Sequence, residues 1–172
     1  GGNAGTADFI AVANEVSGSV RATLDGATTS QTLSLRPIGV KSLTVSPTTV
    51  VGGAMVTGKA TLECSAGPGP IVVGLASSNT IATPEAASIV IPVGTQFETF
   101  DISTSPLLAK ATTMIAASAN GISKAKRLTV TPAASVSPTS LRFGNVAVGQ
   151  TSAPLVATLT NRGTASFAVN SI

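Results

Sequence analysis

The sequence predicts an all-β chain of repeated antiparallel β-sandwich modules, one complete and flanked by two partial ones. Three observations carry that expectation. Apolar and polar residues alternate over short runs, most clearly in Val56-Thr57-Gly58-Lys59-Ala60-Thr61-Leu62-Glu63-Cys64. Turn-forming pairs such as Asp25-Gly26 and Asn120-Gly121 separate runs of this kind. Stretches of the chain also recur at a spacing of about 90 residues, the size of one small sandwich.

The alternating run sets the register. Val56, Ala60, Leu62 and Cys64 fall on one face with Gly58 among them, while Thr57, Lys59, Thr61 and Glu63 fall on the other. A period of two places the first set against a core and the second in water. Cys64 is the only cysteine, so an internal disulfide is excluded, and its place in the alternation makes it a small, inert core side chain. A reactive thiol would require an electropositive, partly exposed setting that Lys59 and Lys110 do not suggest.

Composition agrees with the pattern. Among 172 residues, 43% are hydrophobic, mostly Ala, Val, Leu and Ile, and only 10% are charged. Thr, Val and Ile suit pleated, half-buried surfaces. The 10 Pro and 17 Gly supply turns and interrupt any long helix. No apolar run approaches the roughly 18–20 residues of a membrane helix, so no membrane insertion is expected of this segment. The chain begins at Gly1 without Met or a signal-peptide pattern, which suggests a processed or cropped fragment.

Taken in order, the first element is Phe9-Ile10-Ala11-Val12, a short strand-like run. Val20 to Leu24 and Thr32 to Pro37 then form a hairpin about Asp25-Gly26. Residues 1–37 therefore read as the last strands of a preceding module. Residues 38–134 hold a complete sandwich. Its first strand covers Leu43 to Val45, kinks at Pro47 and continues from Thr49 to Val51, as suits an edge strand that changes sheets. The second runs from Val56 to Cys64, followed by the turn Gly67-Pro68-Gly69-Pro70. Ile71 to Leu75 is the third, Ser78-Asn79-Thr80 opens a loop, and Ala87 to Ile91 is the fourth. Pro92-Val93-Gly94 turns into the fifth, Phe97 to Ile102. Met114 to Ala119 and Lys124 to Val130 form the closing hairpin about Asn120-Gly121.

Seven short strands with turns at this spacing are the signature of an Ig-like sandwich. There is no Trp on the third strand, and Ala117 stands where a disulfide partner of Cys64 would be sought, so the antibody variety is excluded. The expected core is Val56, Ala60, Leu62, Cys64, Val73, Leu75, Ile89, Ile91, Phe100, Ile102, Ile115, Ala117, Leu128 and Val130. Gly26 precedes Pro37 by eleven residues, as Gly121 precedes Pro132. Val45-Ser46-Pro47-Thr48-Thr49-Val50 returns 91 residues later as Val136-Ser137-Pro138-Thr139-Ser140-Leu141. Residues 135–172 thus read as the opening strands of a third module. A half sandwich leaves its apolar face uncovered: Phe9, Val20 and Leu24 at one end, and Phe143, Val146 and Val156 at the other.

Two resemblances follow. Val50-Val51-Gly52-Gly53, Gly58 to Leu62, Val73 to Asn79 and Ile91 to Gly94 resemble the tandem Ig-like repeats of large secreted bacterial proteins. Ser137 to Gly149, with Phe143-Gly144 and Val148-Gly149, and Leu159 to Ala165, with Asn161-Arg162-Gly163-Thr164, resemble the start of a Hydin-type (ASH) domain, another Ig-like sandwich. What these imply is a modular extracellular or cell-surface scaffold; neither family brings a catalytic motif.

The residues themselves offer no catalytic, cofactor or metal site. With no His, the Ser-His-Asp and Cys-His systems and His-ligated zinc or haem are excluded, and one Cys cannot hold an iron–sulfur cluster. Glu98 and Asp101, three apart on one strand, point to opposite faces and make no carboxylate pair. Asp8, Glu15 and Asp25 are too dispersed for calcium. Gly52-Gly53 and Gly67-Pro68-Gly69 lack the Lys-Ser/Thr and following helix of a phosphate loop. Arg162-Gly163-Thr164 lacks the Asp of an integrin-binding tripeptide, and its Gly reads as a turn. The net charge is +3, and the one basic cluster, Lys124, Lys126 and Arg127, has no aromatic neighbours for stacking on bases. It reads as a charged strand edge, and no nucleic-acid partner is expected.

The sequence is therefore expected to be a non-catalytic structural or adhesive segment of a multi-domain extracellular bacterial protein, a spacer or display stalk. Its expected partners are neighbouring Ig-like modules of the same polypeptide, with a protein or polysaccharide ligand left open. The alternative is an accessory, carbohydrate-binding module of a secreted hydrolase, against which stand five Phe with no Trp or Tyr.

Overall fold

The computed structural model describes residues 15–164, together with Ser166, Ala168 and Val169; the Phe9-to-Val12 run lies outside them. All regular structure in the described residues is β. The strands are β1 (Val16–Leu24), β2 (Ala27–Leu35), β3 (Val40–Ser46), β4 (Thr49–Val51), β5 (Val56–Leu62), β6 (Ile71–Ser77) and β7 (Ala82–Pro84). They continue with β8 (Ser88–Ile91), β9 (Phe97–Thr104), β10 (Ala111–Ala119), β11 (Ile122–Thr131), β12 (Ala134–Ser137) and β13 (Thr158–Asn161).

β3 to β11 form an Ig-like sandwich. One sheet has the order β3-β5-β9-β7 and the other β4-β11-β10-β6-β8. The chain crosses between them at Pro47: β3 is the edge of the first sheet and β4 the edge of the second. This is where proline does least harm, because an edge strand need not donate to a second neighbour. The core lies between the sheets. Leu62, Ile91, Ile102, Ile115 and Leu128 are fully buried, with Val40, Val56, Val73 and Val130 packed among them. In β5 the residues alternate as expected: Val56, Gly58, Ala60 and Leu62 are buried, while Thr57 is exposed and Lys59 and Thr61 are half-buried. Gly58 stands opposite Phe100, whose ring occupies the space a side chain there would need.

Two expected core residues behave differently. Cys64 is exposed. The ladder of β5 ends at Leu62, opposite Val40, and the chain then bends away. Alternation persists only while backbone pairing holds the pleat, so Cys64 falls outside it. Ala66 takes the inward place instead, its N–H donating to Thr95 O at 2.7 Å and its carbonyl accepting from Gly94 N at 2.7 Å. Ile89 is half-buried because β8 is an edge strand, yet it still packs against the core.

The ladder of β1 and β2 reappears in β10 and β11 at a uniform offset of 95 residues: Val16↔Leu35 corresponds to Ala111↔Val130, and Leu24↔Ala27 to Ala119↔Ile122. Both hairpins turn on two residues of positive φ, Asp25 (50°) and Gly26 (81°) in one, Asn120 (49°) and Gly121 (80°) in the other. That backbone matches the right-handed twist of the strands it joins. At the other end β12 pairs with β13 as β3 pairs with β5, with Val136↔Leu159 in the place of Val45↔Gly58.

Candidate functional site

Two of the acidic side chains singled out in the sequence, Glu15 and Glu98, accept hydrogen bonds within the fold. Glu15 accepts from Ser34 Oγ at 2.8 Å, and Asp25 is in the hairpin turn. Asp8 lies outside the described residues. Glu98 and Asp101 fall on opposite faces of β9, and Glu98 Oε1 accepts from Thr99 N at 3.0 Å. Among the described residues no three Cys, Asp or Glu come together as metal ligands. Lys124, Lys126 and Arg127 are exposed on the part of β11 that precedes its pairing with β4. Their charges lie along an unpaired strand edge, where they oppose the addition of another strand. Cys64 stands alone in its exposed bend.

Of the glycine pairs, Gly52-Gly53 has a packing role. A Cβ at Gly52 would meet Ser105 O at 2.5 Å, so the Gly52-Gly53 corner is pressed against the Ser105-to-Leu107 segment. Thr104 closes that corner, its Oγ1 donating to Ala54 O at 2.6 Å and accepting from Gly53 N at 3.1 Å. Gly67 and Gly69 are in an open loop with free space around them.

Among the described residues, a groove of ≈ 620 Å³ lies between the end of the sandwich and the β12–β13 hairpin. Val51, Leu108, Pro132, Val136, Leu159 and Arg162 contribute to its lining. Val136 and Leu159 form a cross-strand pair whose counterparts in the sandwich, Val45 and Gly58, are buried. The groove floor is therefore a sheet face of the kind that the sandwich keeps inside. Of its polar lining residues, Thr131 Oγ1 donates to Val50 O and Arg162 Nε to Ser135 Oγ, so both are engaged within the protein.

Around Ala133 the chain is tied on both sides. Ala133 N donates to Leu107 O at 2.8 Å, and Ala133 O accepts from Arg162 N at 2.7 Å and Gly163 N at 3.2 Å. Arg162 Nε donates to Ser135 Oγ at 3.0 Å, and a Cβ on Gly163 would lie 3.2 Å from Gly52 O. Arg162-Gly163-Thr164 is thus part of a packed joint between β11 and the next hairpin. Sequence reasoning found the turn at Gly163 but not the joint, whose contacts join residues more than 25 positions apart.

The fold defines the class: an all-β, Ig-like sandwich followed directly by a further β-hairpin. No protein-family model matches the chain, and no curated protein matches it. Among solved structures it is similar to native E. coli alpha-2-macroglobulin, at a TM-score of 0.37 and 14% identity. The likeness covers 72% of this chain and 9% of that protein's length.

Proposed function

We propose that the chain is a non-catalytic spacer or display segment of a multi-domain extracellular or surface-exposed bacterial protein. In this reading residues 38–134 are one complete module, and residues 1–37 and 135–172 belong to its neighbours. The observation that carries it is the hairpin ladder that recurs with every pair in register 95 residues apart. A register kept over nine pairs marks one supersecondary unit used twice. The joint at Ala133 adds support, since a spacer works best when successive modules meet without slack. The bacterial Ig-like and Hydin-type resemblances supply the expectation of secretion and name the kinds of module.

The carbohydrate-binding alternative would use an exposed aromatic platform. The exposed ring in the sandwich is Phe97, and Lys59 Nζ lies 3.6 Å from its centroid. A cation seated on the ring occupies the face a sugar would stack on, so this observation favours the spacer.

The test is immunoelectron microscopy with antibodies against this chain on intact source cells, combined with imaging of the purified parent protein. Surface labelling and a rod with a repeat of about 40 Å, set by strands of about nine residues plus their loops, are expected. Labelling only after permeabilisation, or a compact catalytic particle with this chain as one lobe, overturns the proposal.

A further inference from the structure

The two flanking hairpins repeat opposite halves of the sandwich. The β1–β2 ladder is that of β10–β11, and the β12–β13 ladder is that of β3–β5. Within the sandwich those halves lie in facing sheets and close on each other: Val45 from one and Ile115, Leu128 and Val130 from the other share one core. Their edges meet as well. β4 runs parallel to β11, with Thr49 opposite Thr129, Val50 opposite Val130 and Val51 opposite Thr131.

The flanking hairpins have the same faces without the closure. Val20 and Leu24 on one and Val136 and Leu159 on the other are exposed, and exposed apolar patches mark contact sites. Ser140-Leu141-Arg142, which stands 91 residues after Thr49-Val50-Val51, joins no strand. The edge of β2 is equally ready for a partner. Lys124, Lys126 and Arg127, which guard the edge of β11, have Thr29, Gln31 and Thr32 as their counterparts in β2. An edge without such charges admits another strand. The register of the sandwich, repeated there, sets Ser34, Leu35 and Arg36 beside Ser140, Leu141 and Arg142.

The two faces belong to opposite poles of the sandwich. β1–β2 leads in at Gly39, against which Ile122 packs, and β12–β13 follows the end of β11 at Thr131. The 10 residues of β11 between those points span about 30 Å. The link from Arg36 to Gly39 reaches at most about 14 Å, and that on the other side is Pro132 and Ala133 alone. Each hairpin is thus held to its own pole, where it can meet the complementary hairpin of another molecule.

We propose that β1–β2 of one copy closes on β12–β13 of a second copy, joining chains head to tail. The proposal rests on the spacer reading, which assigns both hairpins to neighbouring modules, and names a second copy as the partner that completes them. Because the two faces differ, the contact is heterologous and leaves one open face at each end of a dimer. The register also brings Arg36 beside Arg142, a like-charge pair that salt screens, so association should tighten as salt is raised.

Sedimentation velocity on the full chain over a range of concentrations tests the contact. Mass should grow through an open series of one, two, three and more chains. Val20→Glu and Val136→Glu, both at exposed positions, each place a charge on one face, and each variant alone should stay monomeric. Mixed in equal amounts they should form a dimer and stop there, because one intact face of each kind remains. For the register, Ser34→Cys and Ser140→Cys are combined with Cys64→Ser, and a short bifunctional thiol reagent should link chains into a covalent ladder. A wild-type chain that is monomeric throughout, association that salt or neither substitution weakens as expected, a mixture without dimer, or crosslinks confined within single chains would overturn the proposal and leave the spacer reading intact. Surface labelling that fails while the pairing holds would do the reverse.

Discussion

The pairing of Gly58 with Phe100 yields a prediction with a worked sign and magnitude. Phe100 is 7% exposed and faces Gly58 across the β5–β9 ladder. A Cβ placed on Gly58 would lie 2.6 Å from Cε2 and 2.7 Å from Cε1 of the ring. Both strands are held on their far sides, β5 by β3 and β9 by β7, so neither backbone can withdraw freely. Gly58→Ala should therefore cost about 1–3 kcal/mol through overpacking. Phe100→Ala alone should cost about 3–5 kcal/mol by opening a cavity.

The double variant separates steric fit from general damage to the strand. With the ring absent, the new methyl enters empty space and the clash vanishes. Alanine also loses less backbone entropy than glycine in a strand, by about 0.5–1 kcal/mol. Gly58→Ala should thus be neutral or slightly stabilising in the Phe100→Ala background, giving a favourable coupling of about 2 kcal/mol. Urea unfolding followed by far-UV circular dichroism is the suitable assay, since the chain has no Trp or Tyr. Additivity of the two changes to within about 0.5 kcal/mol would refute the proposed contact.

Three further outcomes are expected. Cys64 should react completely with a thiol reagent in the native protein; a need for denaturant would return it to the core. Gly121→Val should cost about 1–2 kcal/mol in the main unfolding transition, because it forces a β-branched residue to φ near 80°; the same change at Gly26 should leave that transition unmoved. In limited proteolysis of the monomer, residues near 40–132 should survive while both flanks are trimmed, and equal protection of all three parts would contradict the modular reading.

Much of the sandwich is legible in the sequence because period-two patterning and turn chemistry are local signals. The sheet switch at Pro47, the positive-φ turn at Asn120-Gly121 and most of the core lie where residue type alone places them. The failures have equally local causes. Cys64 continues a pattern in sequence that the backbone has already abandoned in space. β7, from Ala82 to Pro84, lies in a stretch whose sequence reads as a loop: three residues ending in proline are too few for a period, and pairing with β9 makes them a strand. The joint at Ala133 and the parallel β4–β11 pair were invisible, because each depends on segments brought together by the fold. Gly58 shows the limit most plainly. Its place in the apolar stripe was clear, but the reason for glycine there is a ring on another strand.

The two copies of the hairpin separate what a sequence encodes locally from what it needs around it. Val20 and Ile115 occupy equivalent ladder positions, as do Leu24 and Ala119. Ile115 and Ala119 are 0% and 4% exposed, whereas Val20 and Leu24 are 58% and 77% exposed. The ladder and the turn are the same in both, so neither depends on the cover. The difference is the sheet opposite, which β3, β5, β9 and β7 together supply to one hairpin and no described strand supplies to the other. Burial of each Val or Leu contributes about 1.5–3 kcal/mol, so the uncovered copy lacks the term that makes its twin permanent. A two-stranded ribbon without a hydrophobic partner is marginal in water. The β1–β2 face thus calls for an opposing sheet of the β3–β5 kind, and the exposed pair Val136 and Leu159 shows the same need in the β12–β13 hairpin. Repetition in such a chain is a property of faces that need each other: the interface between sheets, more than any single strand, is the unit the sequence repeats.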